Sequence, residues 1–167
     1  YDGINPLQQM GNWFGRQVDV SALKNYENPD GTPYNWNHSY HDNPYWIMYK
    51  NTNSRNRDRF FGNILLSYDL LNWLKLQGRV GTDYYTEDKK QVRAMYSNSY
   101  ANGYFEANTS TKNETNADLT LLANRDLTSE ISLYTVLGAN YRDYNGRYQE
   151  TIVDGLIIPD LYSVSNA

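Results

Sequence analysis

Cysteine is absent from this chain of 167 residues. No disulfide framework, thiolate metal site or cysteine nucleophile is therefore available, and the compartment is left open. Long apolar runs are missing as well. Nowhere do the ~20 consecutive apolar residues of a transmembrane helix occur. That excludes a helical membrane protein but not a β-barrel, whose strands are only half apolar. Positive charge is not in excess. The 15 Lys and Arg face 19 Asp and Glu, a net charge of -4, so the basic footprint of a nucleic-acid binder is lacking. No Gly-rich phosphate loop and no Ser-His-Asp set is present.

What the chain does hold is aromatic side chains: 17 Tyr, 4 Trp and 4 Phe. They coexist with a mean hydropathy of -0.80. Disordered chains are depleted in aromatics, so this composition argues for a folded chain. Its abundant Tyr, Asn, Ser, Thr and Gly suit strands joined by polar loops, and its length suits one ordinary domain. It opens Tyr-Asp-Gly-Ile-Asn-Pro without an initiator Met or a signal peptide, and is expected to be a piece of something longer.

The clearest local signal runs from Trp73 to Tyr85. Leu74, Leu76, Gly78, Val80, Thr82 and Tyr84 alternate with Lys75, Gln77, Arg79, Gly81, Asp83 and Tyr85. Strand side chains point alternately to opposite faces, so this is a strand with one apolar and one charged face. Leu74 to Tyr84 spans about 33 Å at ~3.3 Å per residue. Tilted by ~40°, it rises about 25 Å, the height of the apolar band on an outer-membrane barrel. Trp73 at one end and Tyr84 and Tyr85 at the other stand where the two aromatic girdles of a barrel lie.

Other strands follow the same logic. Arg57 to Asp69 alternates Phe60, Gly62, Ile64, Leu66 and Tyr68 with Phe61, Asn63, Leu65, Ser67 and Asp69, and pairs with the Trp73 strand through a turn at 70–72. Asn116 to Asn124 and Ile131 to Arg142 alternate likewise, joined by a turn at 125–130. Residues 86–115 and 143–150 read as long polar connections. Short turns on one side and long loops on the other are the pattern of an outer-membrane barrel. Ahead of the strands, Pro6 to Phe14 and Val20 to Tyr26 suit short helices, with Pro6 at a first helical position. Asn28-Pro29-Asp30-Gly31 is a turn, and Trp36 to Lys50 reads as partly extended.

Candidate chemistry is sparse. His38, His41 and Asp42 would bind metal only if the loop turned both rings to one point; polar loop side chains are the simpler reading. Asp83, Glu87 and Asp88 invite comparison with a glycosidase carboxylate pair, but on a strand Asp83 and Glu87 lie ~13 Å apart, too far. The Asn-X-Ser/Thr sequons at Asn37, Asn108 and Asn113 fit chance in an Asn-rich chain. No catalytic residue, metal or cofactor is expected, and the chain is not read as an enzyme. Trp36, Tyr40, Tyr45, Trp46 and Tyr49 offer apolar area with a polar handle for a sugar ligand, or else pack the loop itself.

A series of short motifs then carries a resemblance. It comprises Gly15-Arg16-Gln17-Val18-Asp19, Gly31 to Trp36-Asn37, Asn43-Pro44-Tyr45-Trp46, Asn51 with Asn53, Arg57-Asp58-Arg59, Gly62-Asn63, Leu66-Ser67-Tyr68 and Trp73-Leu74. It continues through Gly78-Arg79-Val80-Gly81-Thr82-Asp83 to Ile158-Pro159-Asp160-Leu161-Tyr162 and Ser165-Asn166. In this order they resemble the SusC/RagA-like TonB-linked outer-membrane transporters of the Bacteroidetes, over nearly the whole chain. The resemblance implies part of a 22-stranded barrel with an N-terminal plug, a link to TonB carried by the parent chain, and a SusD-like surface lipoprotein over the mouth. It implies import of oligosaccharides or peptides across the outer membrane.

The expectation is therefore an all-β antiparallel meander within such a barrel, with long extracellular loops and short periplasmic turns. Region 1–55 would be extracellular loop and strand, 56–85 a barrel hairpin, 86–115 a long extracellular loop with strand extensions, 116–142 a second hairpin, and 143–167 an extracellular loop. Leu74, Leu76 and Val80 would face lipid; Lys75, Gln77, Arg79 and Asp83 would face the lumen. A soluble β-sandwich that binds carbohydrate through its loop aromatics is the alternative, and needs a second sheet over the apolar faces.

Overall fold

A computed structural model describes residues 5–167; the first four positions of the 1–55 region lie outside the described residues. Four long strands dominate: β1 Asn53–Leu71, β2 Leu74–Arg93, β3 Tyr104–Asp126 and β4 Ser132–Asp154. They form one antiparallel meander in the order β1-β2-β3-β4. Two helices precede them, α1 Pro6–Trp13 and α2 Pro44–Lys50.

The strands outrun the alternation that announces them. The 86–115 connection is strand up to Arg93 and again from Tyr104, which leaves a loop of 94–103. The 143–167 segment likewise begins as strand and stays so to Asp154. In these extensions polar residues occupy both faces for most of the length, with Val92, Phe105 and Val153 as buried exceptions, so the sequence shows little contrast between them. The ladder is built from backbone groups, Thr and Tyr favour it, and it continues regardless. The first turn is Asn72 and Trp73, and its partner at the same end of the meander spans 127–131.

Two corrections concern the region before β1. Trp36 to Lys50 is not extended at its end, because Pro44–Lys50 is helical. The Asn43 side chain accepts from the Tyr45 N–H, and Pro44 occupies the first turn, where no N–H is required. That cap outweighs the strand preference of Tyr45, Trp46 and Ile47. The helix expected over Val20–Tyr26 shrinks to a single 3-10 turn, Ala22–Lys24. The α1 helix forms where expected, with Asn5 Oδ1 accepting from the Leu7 and Gln8 N–H groups. Gly31 closes the Asn28 turn at φ 83°, with its N–H donated to the Asn28 carbonyl.

The chain divides into two compact units. The first comprises the described part of Tyr1–Asn56 with Asp88–Asn108 and Gln149–Ala167. Its core holds Leu23, Trp46, Ile47, Val92, Ala94, Phe105, Val153 and Leu156. Buried polar groups tie it together. Asn43 Nδ2 donates to the Leu23 and Tyr34 carbonyls at 2.9 and 2.7 Å. Ser97 Oγ accepts from Trp46 Nε1 at 2.9 Å, and the Asn51 carboxamide both meets that hydroxyl and accepts the Ala94 N–H. Asn166 Nδ2 donates to the Ile158 and Leu161 carbonyls. Lys50 bridges Glu27 and Asp160 at 3.2 and 3.0 Å.

The second unit, Arg57–Glu87 and Thr109–Tyr148, is sheet alone. Side-chain bonds across it fix the register. Asp69 meets Lys75 and Ser67 meets Gln77 across β1 and β2. Arg79 meets Asp118, and Thr86 meets Thr111, across β2 and β3. Asp118 meets Asn140, and Asp126 meets Ser132, across β3 and β4.

Candidate functional site

In that register the two sequence-predicted sets part cleanly. Lys75, Gln77, Arg79 and Asp83 share one face of β2, and Leu74, Leu76 and Val80 share the other. Each face is best considered across all four strands.

The polar face is laced by ion pairs. Arg59 Nε donates to Asp83 Oδ1 at 2.8 Å, with a second bond from its Nη2 to Oδ2. Arg57 Nε reaches Glu87 Oε2 at 2.6 Å. Arg79 binds Asp118, and Asn140 donates to the other oxygen of the same carboxylate. Arg142 Nη2 meets Glu114 at 2.8 Å. Gly138 leaves a shallow hollow among Leu65, Gln77, Arg79, Asp118 and Thr120. The exposed pairs among them contribute little to stability, since water screens them; Glu87 differs, being buried against Arg57. Along this face the charges are locally balanced.

The opposite face is apolar and bare. Ile64, Leu66, Tyr68, Val80, Leu119, Leu133, Leu137 and Tyr141 are each at least half exposed. By strand parity this face carries no charge between Asp58 and Leu70 on β1, none from Leu74 to Tyr84 on β2, and none from Leu133 to Tyr141 on β4. Asp58, Asp88 and Asp143 bound the band at one end; Arg125 and Trp73 stand at the other, the guanidinium 5.1 Å from the indole centroid. A patch of this kind is uncommon on a water-facing surface.

The loop aromatics separate into three kinds. Trp46 is 1 % exposed and donates its N–H to Ser97, so it is a core residue and leaves the ligand set. Trp36 stacks on His41 with centroids 5.4 Å apart and takes Phe14 edge-on. Tyr45 is half-buried. Tyr40 and Tyr49 are open, Tyr49 tilted against Tyr26 at 5.3 Å. The five therefore do not form one platform.

The metal alternative finds no geometry. The His41 ring stacks on Trp36 and is tilted against Trp13. Asp42 accepts the Asn98 N–H at 2.9 Å and the Asn35 carboxamide at 3.3 Å. Burial raises the Asp42 carboxyl above the ordinary carboxylate value, against the opposing pull of those two donors and of His41. Among the described residues no group of three His, Asp or Glu is placed to hold a metal. Asp83 and Glu87 are each engaged by an arginine.

Several polar-face residues escape a reading of the sequence. Lys112, Glu114 and Tyr144 lie in stretches read as loop, yet strand continuity puts them on the face of Arg79 and Asp83. Extending the parity of Asp118 and Asn140 outward is the signal that finds them.

No protein-family model matches the chain, and no curated protein matches it significantly.

Proposed function

We propose that this chain is a segment of a β-barrel membrane protein, and specifically of a TonB-dependent outer-membrane transporter of the SusC/RagA type. The observation that carries the reading is the bare, charge-free apolar face spanning four strands with a paired-charge face behind it. Crossing a bilayer takes about 9–11 residues of tilted strand, and the charge-free stretch of β2 supplies that length. The outer strands β1 and β4 each leave one edge without a strand partner in the meander. Open edges of this length invite pairing, and closure into a barrel removes them.

In this reading Leu74, Leu76 and Val80 meet outer-membrane lipid, and Lys75, Gln77, Arg79 and Asp83 line the water-filled side. The turns at 72–73 and 127–131 are periplasmic. The parent protein takes up oligosaccharides or peptides with a SusD-like lipoprotein and draws energy through TonB. The motif resemblance supports this, and the buried roles of Asn43, Trp46, Asn51 and Asn166 explain why those motifs hold Asn and Trp: they build the first unit.

The test is fractionation of the native protein, followed by protease treatment of intact cells. Recovery in outer-membrane fractions, in a β-rich form extractable only with detergent, is the expected result. Recovery in a soluble fraction as a monomer overturns the reading and leaves a carbohydrate-binding β-sandwich in its place.

A further inference from the structure

The polar face of the second unit holds one further arrangement, which rests on the reading of that face as water-lined. Across β2, β3 and β4 the register puts Tyr85, Lys112 and Gly146 in one row. Lys112 Nζ stands 5.8 Å from the Tyr85 ring centroid, and the Arg57 guanidinium stands 4.7 Å from the same centroid. The Tyr85 and Tyr144 phenols are the ammonium's electrostatic neighbours.

Gly146 has a definite part in this. A Cβ there would lie 3.4 Å from Tyr144 Oη and 3.6 Å from its ring. The ring thus lies back along β4 over glycine backbone, which brings its phenol to Lys112. Tyr144 is 55 % exposed, so much of its surface remains free.

Charge distinguishes Lys112 from its neighbours. Arg57, Arg59 and Arg142 are matched by Glu87, Asp83 and Glu114. Among the described residues the side chains that act on Lys112 are phenols, with no carboxylate among them. A phenol is a neutral acceptor and leaves the ammonium charge uncompensated, whereas a ligand carboxylate would complete it. Beside it, an exposed tyrosine face suits the C–H face of a pyranose.

We propose that Lys112, Tyr144 and Tyr85 form a subsite for a uronic-acid unit of an oligosaccharide. The sugar ring lies on Tyr144 and its carboxylate meets Lys112. Gly146 positions Tyr144 and does not touch the ligand. A peptide carboxylate would satisfy the ammonium but would leave the tyrosine platform unused, so the acidic sugar is the better fit.

The experiment is isothermal titration of the full-length protein, purified in detergent, with oligogalacturonate, with a neutral galacto-oligosaccharide of the same length, and with an acidic peptide. The expected result is tighter binding of oligogalacturonate. Lys112→Met should weaken it about tenfold or more, the loss of one charge-assisted bond, and leave the neutral sugar unaffected. Lys112→Arg should retain most of the binding. Gly146→Leu, which displaces the Tyr144 ring, should weaken the acidic sugar with Lys112 intact. Equal affinity for acidic and neutral sugars, binding of neither, preference for the peptide, or indifference to Lys112→Met overturns the proposal. The wild-type comparison decides the matter even where a variant does not fold. Membrane location is a separate readout: a soluble uronate binder would sink the barrel and keep the subsite, and an outer-membrane protein blind to uronate would do the reverse.

Discussion

Asp42 is an acid held where its charge is poorly solvated, and its titration runs against the usual direction. Its folded carboxyl is raised by burial above the value it has in the unfolded chain. The neutral form is therefore favoured by folding, and stability rises as pH falls through the folded value, the gain being complete below the unfolded one. At neutral pH the charge is a cost. Asp42→Asn should relieve that cost, provided Asn98 keeps an acceptor. The expected observation is a melting temperature for the variant above wild type at pH 7, with the gap closing below pH ~4. A gap that is constant with pH would refute it. Gly103 makes a different demand: its φ is 75°, and a Cβ would sit 2.8 Å from Leu156 Cδ1. Gly103→Ala should cost roughly 1–2 kcal/mol from the left-handed backbone alone, with a further penalty for the clash, measurable as increased amide exchange in residues 94–103 and 153–156. On β2, Leu76→Arg should cost ~2–4 kcal/mol if its face lies near the bilayer midplane. Gln77→Arg, one residue on and on the hydrated face, should cost far less. Equal small effects in a denaturant titration in micelles would remove the lipid assignment.

Among the elements, α2 depends on a cap more than on its own composition. Asn43 accepts one backbone N–H and donates to two distant carbonyls while fully buried. Asn43→Ala should forfeit the cap, worth about 1 kcal/mol, and strand two buried carbonyls at roughly 1–3 kcal/mol. Limited proteolysis between 34 and 50 would report it. The strands divide into legible and illegible parts for a plain reason. From Phe60 to Tyr84 and from Ala117 to Tyr141 one strand face is free of charge, Arg125 at its end apart, and the other carries the charged residues, so alternation is visible in the letters. From Glu87 to Arg93, from Tyr104 to Asn116 and beyond Asp143 that contrast disappears, although the hydrogen-bonded ladder does not. The helix at Pro44–Lys50 was announced by Asn43-Pro44 but masked by a run of residues that favour strands. For the candidate site, the two faces of β2 were legible, while the core role of Trp46 was not, because its indole partner Ser97 comes from a segment remote in sequence.

At the scale of the whole molecule, the second unit has little interior of its own. Its sheet exposes a charge-free apolar band on one face and scattered apolar side chains such as Phe61, Leu65 and Val136 on the other, and among the described residues its outer strands have no further strand partner. Expressed alone in plain buffer, the chain should aggregate through those edges and that face; with micelles present it should gain a β-sheet circular dichroism signal and stay monodisperse. A monomeric, detergent-free preparation would contradict the barrel assignment.

The register has a consequence for how such a chain can change length. Because successive side chains alternate, loss or gain of one residue within β2 or β3 would exchange the two faces for the rest of that strand. Arg79 and Asp83 would trade sides with Leu76 and Val80. Insertions and deletions there are tolerable only in pairs, or where a bulge absorbs the odd residue. Length variation among homologous chains should therefore collect at 94–103 and 155–167, and the strands should diversify by substitution alone.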